Sequence, residues 1–373
     1  MADRHKRIIS NFDINFLIAV ALLIGIGLAA VYSATYSMGG GNHTLFKKQL
    51  VWIVFGLVTM AGLAFFDYRR LERWGYVLYG IAVALLVATL AVGHTGLGAQ
   101  RWLPLGPFAF QPSEVAKLCI IIALAKYFAE DRITRGHTLR ELIKPFVLVI
   151  VPVALVIKQP DLGTGLMFLF IFCAVVIVAG IRIKSFLYLM TAAALSAPLM
   201  WGLLWKHLKD YQKKRLTMFL SPELDPAGAG YHIIQSKIAI GSGSLTGKGF
   251  LHGTQSQLSF LPERHTDFIF SVISEEWGFI GSIVVLAVFL FIVLWGIETA
   301  GKSKDRFGSL LAVGCVAMIF FHIVINIGMT VGIMPVVGVP LPLVSYGGTS
   351  ALTTLIALGL LASVNLRRFK LFY

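Results

Sequence analysis

Charge is scarce in this sequence. Only 13% of its 373 residues are Asp, Glu, Lys or Arg, against about 25% in soluble domains, so a globule of this size would lack an adequate polar coat. That excludes an ordinary cytosolic enzyme and a disordered regulator. Cysteine is scarce as well: Cys119, Cys173 and Cys315 each sit alone in an apolar run. Neither a disulfide framework nor a Cys-x-x-Cys metal site can be built from them, which excludes a disulfide-stapled secreted domain. His-Glu-x-x-His, Gly-x-Ser-x-Gly and Cys/His metal spacings are absent. So is any Asp-x-Asp pair, and a nucleotide-sugar donor held through a metal is therefore not indicated.

What is abundant is apolar surface. Hydrophobic residues make up 57% of the chain and mean hydropathy is +0.81. A spanning helix needs about 20 mostly apolar residues, and ten runs qualify: Ile14–Tyr32, Leu50–Phe66, Trp74–Val92, Pro112–Phe128, Leu142–Ile157, Leu162–Gly180, Phe186–Trp205, Gly278–Ile297, Phe307–Met329 and Tyr346–Val364. The fold class is all-α, a polytopic membrane protein of about ten transmembrane helices. The first run follows a polar stretch, Met1–Phe12, and exceeds the 7–15 residues or so of a signal-peptide core, so it reads as an uncleaved anchor.

The excess of 32 Lys and Arg over 18 Asp and Glu encodes orientation rather than nucleic-acid binding. Arg4, Lys6 and Arg7 precede the first run. Basic groups then recur at every second connection: Arg69, Arg70 and Arg73; Arg132, Arg135 and Arg140; Arg182 and Lys184; Lys302, Lys304 and Arg306; Arg367, Arg368 and Lys370. The intervening connections, Gly39–His43, His94–Phe110, Lys158–Asp161 and Val331–Ser345, carry few. The positive-inside rule then predicts both termini in the cytoplasm. One connection, 206–277 between the seventh and eighth runs, is basic yet outer, and is long enough to escape that rule. It forms a large extracytoplasmic loop within a single membrane domain, 1–373, with amphipathic helices expected at His232–Ile240 and Asp267–Glu276.

Five motifs stand out. Ile240–Gly249 is glycine-rich but lacks the Walker A spacing, leaving a flexible turn or a backbone cradle for phosphate. Leu261–Phe270 places Glu263, Arg264, His265 and Asp267 just ahead of an apolar span. Asp267 is either a helix cap or a general base at the membrane boundary. A charge at membrane depth costs about 2.5–3.5 kcal/mol on insertion scales, so function is the default suspicion. Arg101, Gln111, Glu114 and Lys117 form a second cluster; Glu114 and Lys117, three apart, share a helix face and make an internal ion pair or line a polar cavity. Gln159 and Asp161 mark an outer turn, with Asp161 a capping candidate. Val336–Gly348 is uncharged and holds Pro340 and Pro342. It cannot be regular helix, and at this depth it must be buried in protein or line a cavity; it reads as a re-entrant loop.

Gln100-Arg101-Trp102, Gln111-Pro112-Ser113-Glu114, Gly230–Ser236, Gly253–Gln257, Pro262–Asp267 and Pro340–Gly348 together resemble the SEDS family (shape, elongation, division and sporulation) over nearly the whole chain. The Gly253–Gln257 run and the Arg before His265 are closer to its elongation branch than to its division branch. The resemblance implies a peptidoglycan glycosyltransferase that polymerises lipid II at the outer face of the cytoplasmic membrane during cell elongation and releases undecaprenyl pyrophosphate. It places the essential acid on Asp267 and the family's cavity ion pair on Glu114 and Lys117. Arg101, Gln111, Gln159, Asp161, Arg264 and His265 complete the expected substrate-binding set, with Arg101, Lys117 and Arg264 as cations for the departing diphosphate. An α-linked donor and β-linked product imply one displacement with inversion. A class B penicillin-binding protein is the implied partner, and a divalent cation, Mg or Mn, is admitted as cofactor. Two other readings stay open at this point: a lipid II flippase, and a non-catalytic scaffold for a penicillin-binding protein.

Overall fold

The computed structural model describes residues 13–36, 44–96, 99–105, 108–131, 136–207, 213, 217, 229–258, 260–261 and 263–368. Arg4, Lys6 and Arg7, the Gly39–His43 connection, Arg132 and Arg135, most of 208–228, and Lys370 lie outside the described residues.

Each of the ten apolar runs falls on a helix: α1 (Ile14–Tyr36), α2 (Thr44–Phe65), α3 (Arg69–Val92), α4 (Pro112–Glu130), α5 (Ile143–Lys158), α6 (Leu162–Ala179), α7 (Ile183–His207), α10 (Ile269–Gly301), α11 (Arg306–Val331) and α12 (Gly348–Leu366). Between the seventh and eighth of these lie α8 (Ala229–Ser242) and the single turn α9 (Thr254–Gln257). Among the described residues, seven helices are long and apolar enough to cross a membrane by length and composition; α4 carries Glu114, Lys117, Lys126 and Glu130, and α5 has only 16 residues. The ends follow local rules. Pro112 opens α4 where its missing N–H is harmless. Asp305 caps α11 through Gly308 N at 2.7 Å, and Gly332 closes it in the left-handed conformation.

The polytopic all-α architecture stands, with one addition. The connection between α3 and α4 contains a three-stranded antiparallel sheet, β1 (His94–Gly96), β2 (Ala99–Leu105) and β3 (Phe108–Phe110), ordered β1-β2-β3. Helices α4, α11 and α12 form the centre, α12 being buried along nearly its whole length, whereas α2 and α3 expose long apolar faces. At one end Arg69 pairs with Asp305, Arg367 with Asp67, and Arg306 reaches the Asp131 and Ala179 carbonyls. The basic connections thus converge on one end, as alternate connections in a bundle must.

At the other end the 331–348 connection is non-helical and its inner part, Leu341–Ser345, is buried among the helices, which is how irregular backbone survives in a membrane bundle. Helix α10 differs from expectation. The amphipathic segment expected over Asp267–Glu276 does not stand apart; it begins at Ile269 and runs into the span across a break at Gly278, φ 66° and ψ −160°. The 23 residues from Phe279 to Gly301 give about 35 Å of helix, enough for the ~30 Å hydrocarbon thickness, without the buried segment before Gly278.

Candidate active site

The break in α10 explains the glycine-rich motif. A left-handed residue strands backbone groups on both sides, and the 244–249 segment satisfies them: Lys248 N and Gly249 N donate to the Glu275 and Glu276 carbonyls at 3.0 and 2.9 Å, while Phe279 N and Ile280 N donate to Ser244 O and Leu245 O at 2.9 and 3.1 Å. A Cβ at Gly247 or Gly278 would collide with the opposing backbone. The amides of Lys248 and Gly249 that a phosphate would need are thus already engaged, and the turn reading holds. Beside it the fully buried Glu275 carboxylate accepts from Lys248 Nζ (2.8 Å), Thr254 Oγ1 (3.1 Å) and Gln255 N (2.9 Å), fastening α9 to α10.

Asp267 lies in the turn that enters α10, half-buried. The N-cap position is Phe268, with no side-chain capping bond, and Asp267 precedes it by one residue. The 265–267 backbone is instead pinned to the re-entrant loop and to α11. Tyr346 N donates to His265 O (2.8 Å), Ser345 Oγ to Thr266 O (2.6 Å), and Asn326 Nδ2 to Asp267 O (3.0 Å). Gly338 turns bare backbone toward the acid, and a Cβ there would sit 3.2 Å from Asp267 Oδ2. His265 packs its ring against Tyr346 at 5.6 Å, and its buried Nδ1 has no hydrogen-bond partner among the described residues. Burial holds its imidazole below the usual range, Glu263 opposing and Arg264 reinforcing that shift.

Arg264 is fully buried, donating from Nε to Ala34 O at 2.8 Å and from a terminal nitrogen to Ser256 O. These bonds tie the segment to the end of α1 and to α9.

The second cluster divides. In the bundle interior Lys117 Nζ meets Glu114 Oε1 at 2.6 Å and His322 Nε2 at 2.8 Å. His322 Nδ1 lies 2.9 Å from Met318 O; a carbonyl only accepts, so Nδ1 carries the proton and Nε2 receives the ammonium. Glu114 Oε2 is buried without a hydrogen-bond partner among the described residues. The expected ion pair is therefore present, with His322 as a third member. Farther out, Arg101 on β2 faces Asp161 Oδ2 at 3.6 Å and bonds Pro160 O. Asp161 caps α6 through Thr164 N (3.3 Å) and Thr164 Oγ1 (2.9 Å). Gln111 binds by its backbone N–H to Thr349 Oγ1 at 3.3 Å. Gln159 is buried and donates to Leu86 O at 2.9 Å, which commits its amide nitrogen to helix packing.

His322, Asn326, Ser345 and Glu275 were not singled out from sequence. The signal existed for the first two: polar side chains four apart inside an apolar span are functional suspects by default.

A family model described as cell cycle protein, FtsW/RodA/SpoVE, matches residues 14–369. The chain is 42% identical over 354 residues to the peptidoglycan glycosyltransferase MrdB of Escherichia coli strain K12, covering 94% of this chain and 92% of that protein. It is 35% identical to the peptidoglycan glycosyltransferase RodA of Treponema pallidum, covering 96% and 99%. Among solved structures, a chain of a peptidoglycan synthase complex described as coordinating polymerization and crosslinking superposes with TM-score 0.81 at 33% identity, covering 96% of this chain and 99% of that one. The rod shape determining protein RodA of Thermus thermophilus gives 0.70 at 31% identity, covering 96% and 98%. With ten helices on the apolar runs, the buried Glu114–Lys117 pair and the acid entering α10 in place, this chain belongs to the FtsW/RodA/SpoVE family of cell cycle proteins.

Proposed function

We propose that this chain is a peptidoglycan glycosyltransferase that polymerises lipid II at the outer face of the cytoplasmic membrane during cell elongation, with Asp267 as general base. The observation that carries the reading is the seat of Asp267: a half-buried carboxylate at the end of the bundle opposite the basic connections, the 265–267 backbone held by the re-entrant loop and α11 and its side chain over the bare Gly338. Relatives named peptidoglycan glycosyltransferases, matched over nine-tenths of both chains, support the reaction class.

The chemistry follows from the groups present. An acceptor sugar hydroxyl is a weak nucleophile, and a positioned base that takes its proton contributes about 10²–10⁴-fold. The bond from the donor sugar to the diphosphate breaks as the new glycosidic bond forms, in one displacement with inversion. The leaving diphosphate gathers negative charge, and cations aimed at it act most strongly where water is excluded. The three cations proposed there are Arg101, Lys117 and Arg264, each already engaged with protein partners. Among the described residues no three His, Cys, Asp or Glu side chains converge as ligands. A Mg or Mn ion would therefore be held mainly by the diphosphate oxygens and water, as Mg commonly is at phosphate groups. The 206–277 segment is then extracytoplasmic and both termini are cytoplasmic. The partner is a class B penicillin-binding protein, a reading supported by the solved complex that joins polymerization to crosslinking.

Asp267→Asn preserves shape and removes the base. The purified protein with its partner should lose at least about 100-fold of its lipid II polymerisation while thermal stability and partner binding stay unchanged. Near-normal polymer from this variant overturns the catalytic assignment. Lipid II flipping without polymerisation would identify a transporter, and full rod-shape function in cells carrying Asp267→Asn would identify a scaffold.

A further inference from the structure

Asn326 lies on α11, four residues after His322 and four before Thr330, so the three share one face of an otherwise apolar helix. Its side chain is fully buried. The amide nitrogen donates to two carbonyls at once, Asp267 O at 3.0 Å and Val339 O at 2.8 Å. Two carbonyl partners fix the amide's orientation, since a flipped amide would set oxygen against oxygen. The penalty shows at the other end, where Asn326 Oδ1 is buried with no hydrogen-bond partner among the described residues. Unpaired buried acceptors are rare in folded proteins and call for a compensating role.

The two carbonyls supply that role. One belongs to the residue that carries the proposed base. The other follows Gly338, the backbone over which the Asp267 carboxylate lies. Tyr346 N and Ser345 Oγ also hold the 265–267 segment, but both come from the loop itself; Asn326 brings in a helix of the bundle. One turn deeper on that helix, His322 receives Lys117 Nζ. A turn of α-helix rises about 5.4 Å, so a single rigid element gauges the separation between the acid and the buried cation.

The geometry points to Asn326 as a positioning residue for the polymerisation reaction: its amide sets Asp267 against both the loop beneath it and the Glu114–Lys117 pair. The inference rests on the reading of Asp267 as the base. Without the amide, both carbonyls lose the donor that ties them to α11.

The test compares Asn326→Ala, Asn326→Ser and Asp267→Asn in the full-length protein with its partner, using labelled lipid II. Asn326→Ala should lower kcat by about 10²-fold, the effect of a roughly 1 Å misplacement of a reacting group. KM should stay close to wild type and the acid limb of the pH–rate profile should move, while the thermal midpoint falls modestly because two carbonyls lose a buried donor. Asn326→Ser, which keeps one donor, should fall between. Unchanged kcat overturns the inference. So does a parallel loss of kcat, KM and thermal midpoint with an unmoved acid limb, which would mark a purely structural residue. If Asp267→Asn is inactive while Asn326→Ala is fully active, only the positioning role fails; if Asp267→Asn is active, the base reading fails and this inference with it.

Discussion

Between Arg264 and Asp267 three ionisable side chains stand almost side by side and meet different environments. Arg264 is turned inward onto Ala34 and Ser256, His265 is wedged against Tyr346, and Asp267 lies over Gly338. Burial depresses the pKa of His265, and of His232 on α8, whose ring lies 6.3 Å from that of Phe268. A depressed folded-state pKa leaves stability intact above the unfolded value of about 6.5. Stability is lost as pH falls toward the folded value, because the unfolded chain binds the proton more readily. Acidification from about pH 6.5 to about pH 5 should therefore lower the protection factors of the 263–268 amides, that is, their exchange rates after correction for the intrinsic pH dependence of amide exchange, and His265→Phe, which keeps a ring against Tyr346, should blunt that response. Unaltered protection factors across this range would refute the assignment. Asp267 was legible from sequence because four ionisable groups crowd the edge of an apolar run. Asn326 and Glu275 were not, since their partners lie 59 and 19 to 27 residues away and no spacing rule links such pairs.

The clearest element is α10, a helix broken at Gly278 and repaired by the 244–249 segment. Its conformation, φ 66° and ψ −160°, is open essentially to glycine alone, and forcing another residue there costs about 1–3 kcal/mol. Gly278→Ala should lower stability by at least that much and loosen the outer segment, because the new Cβ also meets Gly247. Gly241, in the same glycine-rich stretch, lies in helical α8 with open space where a methyl group would stand. Gly241→Ala should stabilise by about 0.4–1 kcal/mol. Thermal midpoints of the two variants moving in the same direction would contradict the hydrogen-bond exchange at the break. From sequence, the glycines were visible but their use was not: the segment that requires them begins some thirty residues later. The small sheet was missed for a related reason. Its strands are three to seven residues long, too short for alternation to rise above the surrounding apolar background.

For the whole molecule, the succession of apolar runs and the alternation of basic connections were enough to lay out ten spans and sort the connections to two ends, because hydrocarbon thickness and charge placement are imposed by the bilayer. In intact cells a membrane-impermeant maleimide should label Leu245→Cys, which is exposed at the end holding Asp267, and should spare Lys302→Cys, exposed at the basic end. The background is Cys173→Ser, since Cys119 and Cys315 are buried. The reverse pattern would invert the orientation. Contacts far apart in the chain add a further constraint. Gly27 on α1 packs against the Leu343 and Val344 backbone, Ala34 O receives Arg264, and Gln49 on α2 holds Ser345 O and Gly347 N. Helices α1 and α2 are therefore the wall on which the loop before α12 closes, and contacts across some 300 residues are slow to form. Until both parts of the chain have met, the proposed acid has no finished seat, so any truncation between them should abolish the activity proposed for it.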